Sequence, residues 1–133
     1  MTQPTSRILI VDDERTNREL LTAMLAPEGY DLTSAGSGEA ALKIVAERPP
    51  DLILLDGMMP LIDGYEVAAR IKADPATSRT PILMISGSDE RDSRLRMMKA
   101  QADDFLAKPV DRAELCARVR AILHRHASPE ATG

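Results

Sequence analysis

Aromatic residues are almost missing from this chain. Of 133 positions none is Trp, one is Phe and two are Tyr, 2% in all, so any core must be aliphatic. Cysteine is as scarce. Cys116 stands alone, which excludes an internal disulfide, marks it as a small core residue, and fits a reduced, cytoplasmic setting. No apolar run approaches the roughly 20 residues that span a membrane, and the opening "MTQPTSR" lacks the apolar centre of a signal peptide. Positive charge is in deficit, with 17 Lys and Arg against 21 Asp and Glu, a formal net charge of -4 and a pI of about 5.2. That argues against direct nucleic-acid binding by the domain as a whole, because such binding is dominated by phosphate neutralisation. The two histidines, His124 and His126, fall on different faces of the last helical segment, so no metal site is expected there.

Hydrophobic residues make up 44% and charged residues 29%, enough for one domain with a proper core. Five short apolar runs alternate with five helical patterns. The runs are "RILIV" (7–11), a weaker "YDLTSA" (30–35), "DLILL" (51–55), "PILMIS" (81–86) and "DFLAK" (104–108). Between and after them, apolar residues recur at helical spacing. Leu20, Leu21, Met24 and Leu25 mark the first helix, Ala41, Leu42 and Val45 the second, and Val67, Ala68 and Ile71 the third. Leu95 and Met98 mark the fourth, and Leu115, Val119, Ile122 and Leu123 the fifth. Pro27 and Gly29, Pro49-Pro50 and Asp74-Pro75 close the first three, while Ser37 and Asp111 are placed to cap the second and fifth, with Glu114 completing a capping box. Strict alternation argues for an α/β fold with a parallel sheet covered by helices on both faces. Runs one, three and four, continuously apolar, are the central strands. The domain is expected over 7–126, with a disordered tail at 1–6 and a disordered tail or the start of a linker at 127–133.

In an open parallel sheet, ligands bind beyond the carboxyl ends of the strands. Strand one delivers Asp12 and Asp13 there, strand three Asp56, strand four Ser86 and Gly87, and strand five Lys108 and Pro109. Clustered carboxylates repel one another unless a cation joins them, and all-oxygen donors select a hard ion such as Mg²⁺. Lys108 and Ser86 would suit a phosphoryl group beside that ion, and a carboxylate in such company can be phosphorylated as a nucleophile.

The segments "ILIVDDE", "LLDGMMPLIDG", "PILMISG" and "ADDFLAKPV", in this order and spacing, make the chain resemble the receiver domain of two-component response regulators from about Arg7 to Leu123. The resemblance implies a flavodoxin-like (βα)5 doubly wound sheet of strand order 2-1-3-4-5. It implies Asp56 as phosphoacceptor and Mg²⁺, with Mn²⁺ a possible substitute, bound by Asp13, Asp56 and the backbone carbonyl of Met58, with Asp12 acting through water. Lys108 and Ser86 would hold phosphoryl oxygens. Phe105 stands at the switch position coupled to Ser86 and is expected to turn inward as Ser86 moves. Lys108-Pro109 matches a bond that is usually cis. Gln101 stands where the family usually has glycine, Val110 where it often has an aromatic, and Ser86 where it often has threonine.

Implied partners are a histidine kinase or histidine phosphotransfer protein, and an output domain or protein reached through the surface of helix 4, strand 5 and helix 5. A homodimer stays open. Such a domain is a signalling switch that catalyses only its own phosphoryl transfer and dephosphorylation, with Met58 and Ser88 placed to tune the latter. Gly57 is expected to let the loop turn close to the metal. Two other readings are weighed. A Mg²⁺-dependent phosphatase with an aspartyl-phosphate intermediate usually carries a second acid two residues after the nucleophile, where this chain has Met58. A flavodoxin-like binding module working without phosphorylation would fit an acidic "DDERTN" loop poorly if it held a flavin phosphate.

Overall fold

The computed structural model describes residues 5–87 and 90–127; Ser88 and most of the two expected tails lie outside them. Five strands, β1 (Arg7–Val11), β2 (Asp31–Ala35), β3 (Leu52–Asp56), β4 (Ile82–Ser86) and β5 (Asp104–Ala107), alternate with α1 (Arg15–Leu25), α2 (Gly38–Glu47), α3 (Gly64–Ala73), α4 (Glu90–Ala100) and α5 (Arg112–Ala127). The strands form one parallel sheet in the order β2-β1-β3-β4-β5.

Successive side chains on a strand face opposite ways, so a strand covered on both sides must be apolar at every position. Every residue of β3 and β4 is buried. Leu9, Val11, Ile53, Leu55, Ile82 and Met84 enter one core layer, where Ala41, Val45, Val67 and Ile71 meet them from α2 and α3. Ile8, Ile10, Leu52, Leu54, Leu83 and Ile85 enter the other, against Leu21 and Leu25 of α1 and Leu115, Val119 and Ile122 of α5. Cys116 joins this second layer. Each buried aliphatic side chain contributes about 1.5–3 kcal/mol. No helix among the described residues is long and apolar enough to cross a membrane.

The helical phase departs from expectation at three residues. Leu20, Leu95 and Met98 point outward, 52%, 54% and 66% exposed. In α4 the pairs 95/98 and 97/100 have the same spacing, and periodicity cannot choose between them; the sheet takes Met97 and Ala100, which share a cluster with Phe105. Leu20 borders a groove described below.

Ser37 accepts the Ala40 N–H at 3.1 Å and Asp111 the Glu114 N–H at 2.9 Å, so both cap as expected. Asp63 caps α3 in the same way, accepting the Glu66 N–H at 2.9 Å. At the end of α4, Gln101 adopts a φ of 64°, the left-handed conformation that its family position suggested. A side chain there costs about 1–2 kcal/mol, of which the floppier unfolded chain of a glycine variant gives back part. Gln101→Gly is therefore expected to raise the melting temperature by roughly 1–4 °C, read by calorimetry. A fall would mean that the glutamine makes a compensating contact.

The amino ends of the strands are tied by a nearly buried lysine. Lys72 Nζ donates to the carbonyls of Thr80 at 2.7 Å and Ser78 at 3.3 Å and pairs with Asp103 at 2.9 Å. Asp103 in turn accepts the Ile82 N–H at 2.7 Å.

Candidate functional site

Parallel pairing in register brings the carboxyl ends of β1, β3, β4 and β5 to one rim. Asp56 pairs with Ile85 and Ser86 with Ala107, so the residues following each strand converge. Carboxylate oxygens of Asp12, Asp13 and Asp56 lie within 4.8 Å of one another. Asp12 and Asp56 are 1% and 4% exposed, whereas Asp13 faces solvent. Lys108 Nζ reaches in from the end of β5, 3.3 Å from Asp56 Oδ1 and 3.9 Å from Asp12 Oδ2.

Backbone groups fix these side chains. The Glu14 N–H donates to Asp12 Oδ1 at 2.9 Å, and the Met58 N–H donates to Asp56 Oδ1 at 3.1 Å. The Gly57 N–H donates to the Ile85 carbonyl, and the Lys108 N–H to that of Ser86, both at 3.0 Å. Lys108-Pro109 is cis. Burial pushes the Asp56 carboxyl above its ordinary range and the neighbouring Asp12 adds to this, while the Met58 N–H and the Lys108 ammonium oppose it. Three carboxylates facing one ammonium leave an excess of negative charge on oxygen donors alone. That donor set fits a hard divalent cation and offers nothing to a soft one.

Ser86 is wholly buried at the end of β4. Phe105 lies inside, 3% exposed, in the core layer that holds Met84 and Ala100. The ring is thus in the inward position, where the sequence reading had it arrive only as Ser86 moves. The Arg94 guanidinium lies 5.5 Å from the ring centroid. The methionine pair divides, Met59 packing at 8% exposure and Met58 facing out from the rim at 53%. At Gly57 a Cβ would lie 2.7 Å from Tyr65 Cε2, so its missing side chain seats that ring.

Two features escaped the sequence reading. Arg18 Nη1 donates to the Asp12 carbonyl at 2.8 Å, holding the backbone that carries the acidic pair. Its only signal is a position one turn into α1. Beside Asp12 and Lys108 opens a groove of about 210 Å³, lined by Asn17, Leu20, Leu21, Ile85, Pro109 and Val110. Leu20 and Val110, odd as core residues, are its walls.

A family profile described as the response regulator receiver domain matches residues 8–120. Over 117 residues, 88% of its length, the chain is 44% identical to the response regulator PleD of Caulobacter vibrioides, covering 26% of that protein. It is 41% identical over 118 residues to the phosphate regulon transcriptional regulatory protein PhoB of Pseudomonas aeruginosa, covering 52% of it and 89% of this chain. The signal receiver domain of a signal transduction histidine kinase from Syntrophus aciditrophicus superposes with a TM-score of 0.83 at 33% identity, over 90% of each chain. The chain thus spans from a quarter to half the length of these two curated relatives.

Proposed function

The chain belongs to the response regulator receiver domain family, and from that premise we propose that it is a switch driven by phosphorylation of Asp56. The observation that carries this reading is the rim itself: a nearly buried carboxylate, within 4.8 Å of two others and held at 3.3 Å by a lysine. A structural carboxylate at a strand end needs no such company.

In this reading Asp13, Asp56 and the Met58 carbonyl hold Mg²⁺ directly, and Asp12 acts through water. Mg²⁺, when bound, offsets charge on both sides of the transfer. An Asp56 oxygen attacks the phosphorus of a partner's phosphohistidine, the P–N bond breaks, and the imidazole leaves with the electron pair and takes up a proton. Lys108 and Ser86 then hold the phosphoryl oxygens. The donor is a histidine kinase or a histidine phosphotransfer protein, and the groove walled by Leu20, Pro109 and Val110 gives its helix an apolar seat beside Lys108. Output passes through α4, β5 and α5, where Leu95 and Met98 offer an apolar face to an output domain, a target protein or a second copy. The domain is not otherwise an enzyme: Met58, in the place of a second acid, leaves a phosphatase without its general acid or base.

Intact mass after incubation with acetyl phosphate or phosphoramidate tests the reading. One added phosphoryl group is expected, dependent on Mg²⁺ and absent from Asp56→Asn. Stoichiometric uptake by the Asn variant would sink the assignment. No uptake by a protein that still binds Mg²⁺ would favour a binding module that works unphosphorylated.

A further inference from the structure

The strand-end chemistry leaves open what ties α4 to Asp56. Among its side chains Leu95 and Met98 face outward, and Met97 and Ala100 supply apolar contact. A cleft of about 250 Å³ lies between its flank and α3, lined by Asp63, Tyr65, Glu66, Ala69, Arg96 and Lys99.

Arg96 reaches across that cleft. Its Nη2 donates to Asp63 Oδ2 at 2.7 Å, and its guanidinium carbon lies 4.2 Å from the centroid of the Tyr65 ring. Asp63 spends its other oxygen on capping α3. Tyr65 is wedged against Gly57, the residue that follows Asp56. Between them Gly64 packs on the Asp56 carbonyl and donates its N–H to the Gly57 carbonyl at 3.2 Å. One guanidinium therefore holds the residues on either side of Gly64, which packs on the backbone that carries the acceptor. Tyr65 Oη is buried and has no hydrogen-bond partner among the described residues. An unsatisfied buried hydroxyl is unfavourable, so the ring is held by packing against Gly57 and Arg96 and not by its polar end. Half-exposed ion pairs usually contribute little. This one differs because a planar guanidinium is bonded and stacked at once, an arrangement lysine cannot copy.

We propose that Arg96 is a latch that couples the position of α4, through the start of α3, to the end of β3 that carries Asp56. The hold of Arg96 on α4 is independent of the phosphoacceptor reading; the coupling to phosphorylation rests on it.

Hydrogen exchange of the full chain, followed by mass spectrometry, separates the two. Without phosphodonor, Arg96→Ala is expected to raise exchange of the α4 amides about fivefold and leave β1 and β3 unchanged. Arg96→Lys is expected to fall between. Tyr65→Phe, which removes the orphan hydroxyl and keeps the stacking face, is expected to leave α4 at the wild-type rate. With Mg²⁺ and acetyl phosphate, the change in α4 exchange seen in the wild type is expected to shrink by at least half in Arg96→Ala, while its mass still gains a phosphoryl group. Wild-type exchange in α4 of Arg96→Ala would overturn the latch. An undiminished phosphate-induced change would overturn the coupling. If the wild type takes up no phosphate, the acceptor reading fails, and the donor-free comparison still decides whether Arg96 holds the helix.

Discussion

Gly64→Ala is expected to lower the melting temperature by roughly 10 °C and to slow phosphoryl uptake at least tenfold. A Cβ at this position would stand 2.0 Å from the Asp56 carbonyl oxygen, 2.8 Å from its carbonyl carbon and 3.0 Å from Gly57 Cα. All three neighbours are backbone, so no side chain can swing aside. Either α3 retreats and gives up the Gly64 N–H bond to the Gly57 carbonyl, or the end of β3 shifts and carries Asp56 away from Asp12 and Lys108. Overpacking of this kind costs about 1–3 kcal/mol. A displacement of about 1 Å at a reacting group can cost two orders of magnitude in rate. Gly36→Ala is the control. The nearest neighbours of its Cβ would all be Arg18 side-chain atoms, Nη1 at 3.2 Å, so a guanidinium bonded to the Asp12 carbonyl, and no backbone, has to give by a few tenths of an ångström. Calorimetry and the mass assay on both variants check the prediction. A Gly64→Ala protein as stable as Gly36→Ala would mean that the close approach is not obligatory.

Asp56→Asn is expected to abolish phosphoryl uptake and, in the absence of Mg²⁺, to stabilise the domain at neutral pH. Burial raises the Asp56 pKa above the ordinary 3.8. A carboxyl raised in this way favours the folded state below its unfolded pKa, and that contribution is lost as pH rises through the folded value. At neutral pH the ionised, nearly buried group therefore weakens the fold. Asparagine fills the same volume without the charge and leaves Lys108 with Asp12, a gain on the order of 1–2 kcal/mol. Three measurements check the account. The stability advantage of the variant should shrink as pH falls towards 4, since the wild-type carboxyl then takes up its proton. Mg²⁺ should narrow the gap by stabilising the wild type selectively. Uptake of phosphate by the wild type should rise with pH through the raised pKa, because only the carboxylate attacks. A variant less stable than wild type at pH 7 without Mg²⁺ would show that the attraction of Lys108 outweighs the cost of burying the charge.

Much of this was legible in the residues. Residues 8–11 of β1, 52–55 of β3 and 82–85 of β4 are apolar without a break because each run feeds two core layers, and that signal needs no tertiary knowledge. What each strand delivers at its end follows from where the run stops, so Asp12, Asp13, Asp56, Ser86 and Lys108 could be named together. Strand order could not; it came with the resemblance. α4 was misread because two apolar pairs share one spacing and only the sheet beneath chooses between them. Leu20 was misread because a groove wall has the same periodicity as a core face. The inward ring of Phe105 depends on room beside Met84 and Ala100, a property of packing and not of the local sequence. Tyr65 and Arg96, 31 residues apart, carry no mark of their contact.

The knot of Lys72, Asp103 and the carbonyls of Ser78 and Thr80 sits at the opposite end of the sheet from the acids. The fold is tied at one pole, and the acidic rim stands at the other. Leu20, Met58 and Val110, which border the rim and its groove, can therefore be replaced without touching the knot that ties the far end of the sheet.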